Sequence, residues 1–73
     1  MEKTLFKIME EVFQEKINIE TSQKNCLNWD SLHHLNLVIR IENEFDITLE
    51  PEDIAIIITV RKILEVIERM KNE

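Results

Sequence analysis

The apolar positions of this chain recur mainly at the three-to-four-residue spacing of an α-helix. Residues 3–15 show this period and predict an amphipathic first helix. Residues 31–45 predict a second helix, and residues 60–70 predict a last one. Pro51 suits the first position of a short third helix over about 51–57, because its fixed φ is already helical and its missing N–H is not needed there. The pattern therefore predicts an all-α chain with four helices.

The second predicted helix has an apolar side and a polar face. We expect the apolar side to comprise Leu32, Leu35, Val38, Ile39, Ile41 and Phe45. The polar face follows from steps of three and four residues and comprises His33, Asn36, Arg40 and Asn43. Asp30 directly precedes this helix, so its carboxylate can accept hydrogen bonds from the first free backbone amides.

Two connections need a separate interpretation. Residues 16–30 are polar and aperiodic, which predicts a loop that is long for so small a chain, and long loops are often functional. The β-branched run from Ile54 to Val60 has strand propensity. A strand there would have no good partner, so we favour helix, with Thr59 as the cap of the last helix.

Composition narrows the fold and the partners. The chain has 73 residues, which predicts one domain over 1–73, and 44% of them are apolar, enough for a small core. It contains no Gly, so tight hairpins are disfavoured. The net charge of −6 argues against binding nucleic acid or an anionic membrane and favours partners with basic patches.

Cysteine content and hydropathy bear on the compartment. The single cysteine, Cys26, excludes a disulfide within the chain and a zinc site built on paired cysteines. Charged residues interrupt the first 20 positions, so we see no secretory signal. The longest apolar run, Ile54–Ile58, is too short to span a bilayer. We therefore expect a cytoplasmic protein.

Asp30, Ser31, His33 and His34 lie close together in sequence, but the pattern does not favour catalysis. Side chains of a hydrolytic triad converge from distant parts of a chain, whereas neighbours on a helix diverge by about 100° per residue. Neither histidine has a His or Cys four positions away, so a metal site is also disfavoured. We therefore expect both histidines to face solvent and do not expect a hydrolase.

Ser31 is a more specific candidate for a functional residue. It stands at the start of a predicted helix, directly after a polar loop. A phosphate ester on its hydroxyl would be favoured by the helix dipole and the free amides of the first turn. Composition and spacing alone leave the alternative that Ser31 is merely a cap residue.

The sequence resembles the acyl carrier proteins over nearly its whole length. The residues that carry this resemblance are Trp29-Asp30-Ser31-Leu32, Leu35, Leu37–Ile39, Ile41-Glu42, Glu44-Phe45, Ile47, Leu49, Ile57 and Thr59-Val60. The Asp-Ser-Leu triplet alone is a weak signal, but its combination with the later positions is fairly specific.

The resemblance implies a four-helix bundle with a short third helix and a covalent cofactor. Ser31 would receive 4′-phosphopantetheine from coenzyme A through a separate, magnesium-dependent phosphopantetheinyl transferase, with Asp30 as helix cap or as a contact to that enzyme or its magnesium ion. The arm's thiol would hold an acyl or aminoacyl group as a thioester. The chain would catalyse nothing; it would present this group to acyl-loading ligases or synthases, as a monomer, and in many family members the acyl chain tucks between the helices.

The sequence also departs from the family pattern. Carriers of primary fatty acid synthesis usually have a strongly acidic second helix, whereas here only Glu42 and Glu44 lie between Ser31 and Phe45. This difference favours a specialised pathway. The expected docking positions are Leu32, His33, Asn36, Leu37, Arg40 and Ile56.

Individual residues near the predicted site carry further expectations. Asn28 stands where many members have Gly, which predicts a turn that Asn can tolerate. Trp29 is either a hydrophobic lid on the loop or a partner contact. Ile54 and Ile57 are expected to face inward, which leaves Ile56 or Ile58 exposed.

Three alternatives stay open from the sequence. The chain could serve housekeeping fatty acid synthesis. It could be a small helical interaction module without a cofactor, with Ser31 unmodified. It could also be a carrier homologue that has lost modification, although the intact Asp30-Ser31-Leu32 disfavours this.

Overall fold

The computed structural model describes residues 1–72 and contains four helices over that range. They are α1 (Glu2–Phe13), α2 (Ser31–Phe45), α3 (Pro51–Ile56) and α4 (Val60–Lys71). The only strand-like pairing in this part of the chain is an isolated bridge between Ser22 and Thr59. The predicted all-α fold is therefore confirmed.

The helix ends follow local backbone geometry. The first helix stops two residues before the predicted end, because Gln14 adopts a left-handed conformation (φ 57°) and its N–H donates to the carbonyl of Glu10 at 2.8 Å. The second helix has the predicted bounds and ends in the same way at Asp46 (φ 55°). The third helix ends one residue early, at Ile56.

The core is formed by α1, α2 and α4 together with the loop before α2. Two of the helices each place four side chains in it: Leu5, Ile8, Met9 and Phe13 from α1, and Val60, Ile63, Val66 and Ile67 from α4. The loop contributes Ile17, Cys26 and Trp29. The loop before α2 is thus packed against the bundle at several points.

The apolar side predicted for α2 is partly wrong. Leu32, Leu35 and Ile39 are 66%, 55% and 55% exposed. The buried positions are Leu37 (0% exposed), Val38 and Ile41. The helix carries two apolar stripes, and only the stripe that includes Leu37 packs on the core.

The helix favoured for Ile54–Val60 is only partly present, because α3 ends at Ile56 and α4 begins at Val60. The residues between them, 57–59, are not helical, and Thr59 forms only the isolated bridge to Ser22, so the strand alternative is wrong. Thr59 caps α4 as predicted, since its Oγ1 accepts the N–H of Lys62 at 3.0 Å. The carboxylate of Asp53 is buried and accepts from Arg69 at 2.7 Å and from the N–H of Glu50 at 3.2 Å.

The isoleucines of this segment divide between core and surface. Ile57 is buried and Ile54 is half-buried, as expected. Both Ile56 (44%) and Ile58 (39%) are exposed. None of the helices in residues 1–72 has the length and apolar content needed to cross a membrane.

Candidate functional site

The loop that leads to Ser31 is tied to the end of α1. The carboxylate of Glu15 accepts hydrogen bonds from the backbone N–H groups of Leu27 at 3.2 Å and Asn28 at 2.7 Å. The side-chain amide of Asn28 donates to the carbonyl of Phe13 at 2.7 Å. Asn28 lies in a turn, as predicted, because the N–H of Trp29 donates to the carbonyl of Cys26 at 3.2 Å. The turn does not require a positive φ at Asn28. The role of Asn28 is to make these side-chain and backbone hydrogen bonds.

The same loop is also attached to the junction of α3 and α4. The N–H of Gln23 donates to the carbonyl of Ile58 at 2.9 Å, and the N–H of Val60 donates to the carbonyl of Thr21 at 2.9 Å. These bonds flank the Ser22–Thr59 bridge. The loop therefore spans the bundle and is fixed at both sides before it reaches α2.

Trp29 is a buried residue of this loop. It is 4% exposed, and its ring stacks on that of Phe13 with a centroid distance of 4.8 Å. Its indole Nε1–H donates to Nδ1 of His34 at 2.9 Å. Trp29 is thus a lid over the core, and the alternative that it is a partner contact is wrong in this conformation.

Ser31 is the first residue of α2 and is exposed. Asp30 is the N-cap residue, with extended backbone (φ −106°), and its Oδ1 accepts the N–H of His33 at 2.9 Å. The cap function predicted for Asp30 is confirmed. The hydroxyl of Ser31 therefore stands at the positive end of a 15-residue helix, beside amides that have no carbonyl partner within the helix.

The ring Nδ1 of His33 also bonds to Oδ1 of Asp30, at 2.7 Å. The backbone N–H of His33, with the bond from its ring, lowers the pKa of Asp30 below the ordinary carboxyl range. Because the pKa of Asp30 is lower in the folded state, the cap contributes its full stabilisation of the fold at pH values above the ordinary carboxyl pKa. This stabilisation is lost as the pH falls through the lowered pKa.

Substitution of Asp30 by alanine is expected to lower the melting temperature by several degrees at neutral pH, because the first turn of α2 loses its acceptor. Asp30→Asn is the matched control, since its amide oxygen can still accept the N–H of His33. The difference in melting temperature between wild type and Asp30→Ala should become smaller on acidification, because protonation removes the charge from Asp30. Thermal unfolding followed by circular dichroism tests this, and equal melting temperatures at neutral pH would contradict it.

The outward face of α2 is apolar and nearly neutral. Leu32, Leu35 and Ile39 form an exposed stripe, which we call the outer stripe. Arg40 pairs with Glu11 of α1, and this pairing lowers the pKa of Glu11. Of the two acids on α2, Glu42 accepts a hydrogen bond from the backbone N–H of Leu49 at 2.8 Å. Glu44 is therefore the exposed acid that remains on α2 beside these two engaged charges.

The predicted docking residues fall into two groups. Leu32, Asn36, Arg40 and Ile56 are exposed, and His33 is half-buried. Leu37 is fully buried, so its prediction as a docking position is wrong. Sequence reasoning assigned Leu35 and Ile39 to the core side, although both belong to the outer stripe.

His34 differs from the prediction that both histidines face solvent. It is half-buried, and both ring nitrogens have partners. Its Nδ1 accepts from Trp29, and its Nε2 lies 2.8 Å from the carbonyl oxygen of Ile54 in α3. No sequence pattern signalled this role, because the two partners lie on different elements.

The remaining candidates for chemistry among the described residues are a metal site and the single cysteine. Within residues 1–72, no three His, Cys, Asp or Glu side chains are arranged to hold a metal ion. Cys26 is buried, and its burial raises the pKa of the thiol, which keeps it protonated.

Comparisons with known proteins agree with this architecture. The chain is 40% identical over 53 residues to the acyl carrier protein of Exiguobacterium sp. (strain AT1b), an overlap of 73% of this chain and 67% of that relative. A solved structure from Mycobacterium tuberculosis, provisionally assigned as an acyl carrier protein, matches with a TM-score of 0.81 at 23% identity. That match covers 93% of this chain and 95% of the other, and at this identity it shows the fold alone. No protein-family model matches the chain.

Proposed function

The chain belongs to the acyl carrier protein family, and we propose on that premise that Ser31 carries a 4′-phosphopantetheine arm. The protein would then be a single carrier domain over residues 1–73 that works as a monomer and catalyses nothing itself. When attached, the arm supplies a terminal thiol that holds an acyl or aminoacyl group as a thioester. The observation that carries this proposal is the exposed hydroxyl of Ser31 at the N-terminus of α2.

The surroundings of Ser31 fit a phosphodiester. The positive end of the α2 dipole favours the negative charge of the phosphate, and first-turn amides are available to it. The carboxylate of Asp30 accepts the backbone N–H of His33 and is hydrogen-bonded to its ring, which offsets part of the negative charge next to Ser31. The fixed loop before α2 presents Ser31 at a defined position, where a transferase can reach it.

Attachment would form one bond and break one. The Oγ of Ser31 would bond to the phosphorus that carries the pantetheine, while the pyrophosphate bond of coenzyme A breaks and adenosine 3′,5′-bisphosphate leaves. The hydroxyl proton would go to the transferase or solvent. Asp30 is the residue next to Ser31 that we propose contacts the transferase or its magnesium ion.

The intact mass of the protein tests the proposal. We expect the wild type to gain one phosphopantetheine after incubation with coenzyme A, magnesium and a broad-specificity phosphopantetheinyl transferase. No gain with several transferases would contradict the carrier function. That result would favour a small helical interaction module without a cofactor.

We further propose that this carrier serves a specialised pathway rather than primary fatty acid synthesis. The support is the outer stripe, which presents leucine and isoleucine side chains where an acidic docking surface would need carboxylates. Exposed Asn36 adds a polar but uncharged contact beside it. Such a face suits enzymes whose docking site is apolar, because charge complementarity contributes little to it. We propose Leu32, His33, Asn36, Arg40 and Ile56 as further docking residues.

Substitution of Leu35 and Ile39 by serine in one variant is expected to lower the kcat/KM of arm transfer about tenfold, equivalent to about 1.4 kcal/mol of contact energy. Transfer to wild type should change by less than about threefold as the Debye length falls from about 10 Å at 0.1 M salt to about 3 Å at 1 M salt. Asn43→Ser, also exposed on α2, is the control and should leave the rate unchanged. A steep loss with salt and an unaffected double variant would indicate the electrostatic docking of a housekeeping carrier.

A further inference from the structure

The ring of His34 connects three parts of the fold. Its Nδ1 lies 2.9 Å from the indole Nε1 of Trp29, and its Nε2 lies 2.8 Å from the carbonyl oxygen of Ile54. The indole nitrogen can only donate and the carbonyl oxygen can only accept. The geometry therefore requires the neutral imidazole with its proton on Nε2.

Protonation of His34 would change only one of these two bonds. The new N–H on Nδ1 would face the N–H of Trp29, so two donors would oppose each other. The bond to Ile54 would survive, because Nε2 keeps its proton. Trp29 is 4% exposed, so its N–H would then be buried without an acceptor, which is unfavourable.

We propose that His34 is a proton-sensitive latch for the loop segment that leads to Ser31. In its neutral form the latch binds Trp29 and so holds the end of the loop against α2 and α3. Protonation releases Trp29, whose ring otherwise stacks on Phe13 and lies 6.0 Å from that of His34. Histidine suits this role because its charge changes in the pH range between 5 and 8.

The charged groups around His34 have other partners. Its helical neighbour His33 bonds to Asp30, and Glu15 of the loop accepts backbone amides. In α3, Asp53 pairs with Arg69 of α4. No ion pair within residues 1–72 involves the ring of His34. The remaining charged groups of the α3 start are Glu50 and Glu52, both exposed.

The consequence for the carrier rests on the function proposed for Ser31. Trp29 lies two positions before Ser31 and is followed directly by the N-cap residue of α2. Release of Trp29 would therefore loosen the segment that positions Ser31, with its arm, for a partner enzyme. His34 would act as a positioning residue, without contacting the acyl group itself.

Nuclear magnetic resonance on the unmodified wild-type chain tests the latch without reference to the arm. The protein has one tryptophan, so its indole N–H signal is unambiguous. At pH 8 we expect the His34 ring to carry its proton on Nε2. Between pH 8 and pH 5 the indole signal should shift in one step that coincides with titration of His34, together with the amides of residues 26–30. A proton on Nδ1 at pH 8, or an indole signal that does not follow His34, would overturn the proposal.

His34→Gln and His33→Gln form a matched pair of variants. A glutamine at position 34 can still accept from Trp29 without titrating, so its indole signal should become independent of pH while the fold is kept. His33→Gln should keep the wild-type step. A step that persists in His34→Gln, or that disappears in His33→Gln, would overturn the latch. These measurements use the unmodified chain, so their outcome does not depend on whether Ser31 accepts the arm.

Discussion

Replacement of Leu37 by alanine is expected to lower the free energy of unfolding by about 2–5 kcal/mol. Leu37 is 0% exposed and packs in the core with Val38 and Ile41 of the same helix. Its truncation would remove buried methyl groups and leave a cavity. A core of this size supplies only about 3–5 kcal/mol of stability, so a large fraction of the variant should be unfolded at room temperature.

Leu35→Ala is the matched control on the same helix. Leu35 is 55% exposed, so its truncation should change the free energy of unfolding by no more than about 0.5 kcal/mol. Urea unfolding followed by circular dichroism measures both variants under identical conditions. Similar losses for the two leucines, or a stable Leu37→Ala protein, would contradict the placement of Leu37 in the core and of Leu35 on the surface.

Replacement of Ser31 by alanine is expected to abolish transfer of the arm. The variant has no hydroxyl oxygen at position 31 to bond to phosphorus, so the loss should be complete rather than partial. The fold should remain intact, because Ser31 is exposed and the first turn of α2 is capped by Asp30. Transfer is measured as the fraction of protein that gains the arm after incubation with coenzyme A and the transferase.

Ser22→Ala is the matched control, because Ser22 is the only other serine of the chain. Ser22 lies in the long loop and pairs with Thr59 through its backbone, which alanine preserves. This variant should accept the arm as well as wild type does. Modification of Ser31→Ala, or its loss in Ser22→Ala, would place the arm elsewhere. Circular dichroism spectra of both variants exclude misfolding as the cause.

The helix starts could be predicted because local chemistry determines them. Asp30 and Thr59 each accept the N–H of the residue three positions later, and Pro51 is the first residue of α3. These signals depend on residues a few positions apart, which the sequence displays directly. The end of α1 was predicted less well, because Gln14, which gives no strong stop signal, adopts the left-handed conformation.

The orientation of α2 could not be predicted from its pattern. The outer stripe and the stripe with Leu37, Val38 and Ile41 both have helical spacing. Which stripe is buried depends on where α1 and α4 lie, and that is a property of the whole fold. For this reason the pattern wrongly predicts Leu35 and Ile39 on the core side and Leu37 as a docking residue.

The hydrogen-bond partners of His34 could not be predicted from the sequence either. Its partners are five positions before it and 20 positions after it, on a loop and on another helix. Glu15 has a comparable role, since its carboxylate accepts amides 12 and 13 positions away. Contacts of this kind depend on how a long loop folds back on the bundle. By contrast, Ser31 could be singled out because its position at a helix start is local.

The most direct test of the carrier function is to locate the arm on the wild-type chain after loading. Trypsin cleaves after Lys16, Lys24 and Arg40, so Ser22 falls in peptide 17–24 and Ser31 in peptide 25–40. Ser31 is the only hydroxyl residue of peptide 25–40. Mass spectrometry should show phosphopantetheine on peptide 25–40, with fragmentation placing it on Ser31, and peptide 17–24 unchanged. An arm on any other peptide, or no arm on any peptide, would contradict the carrier function proposed for Ser31.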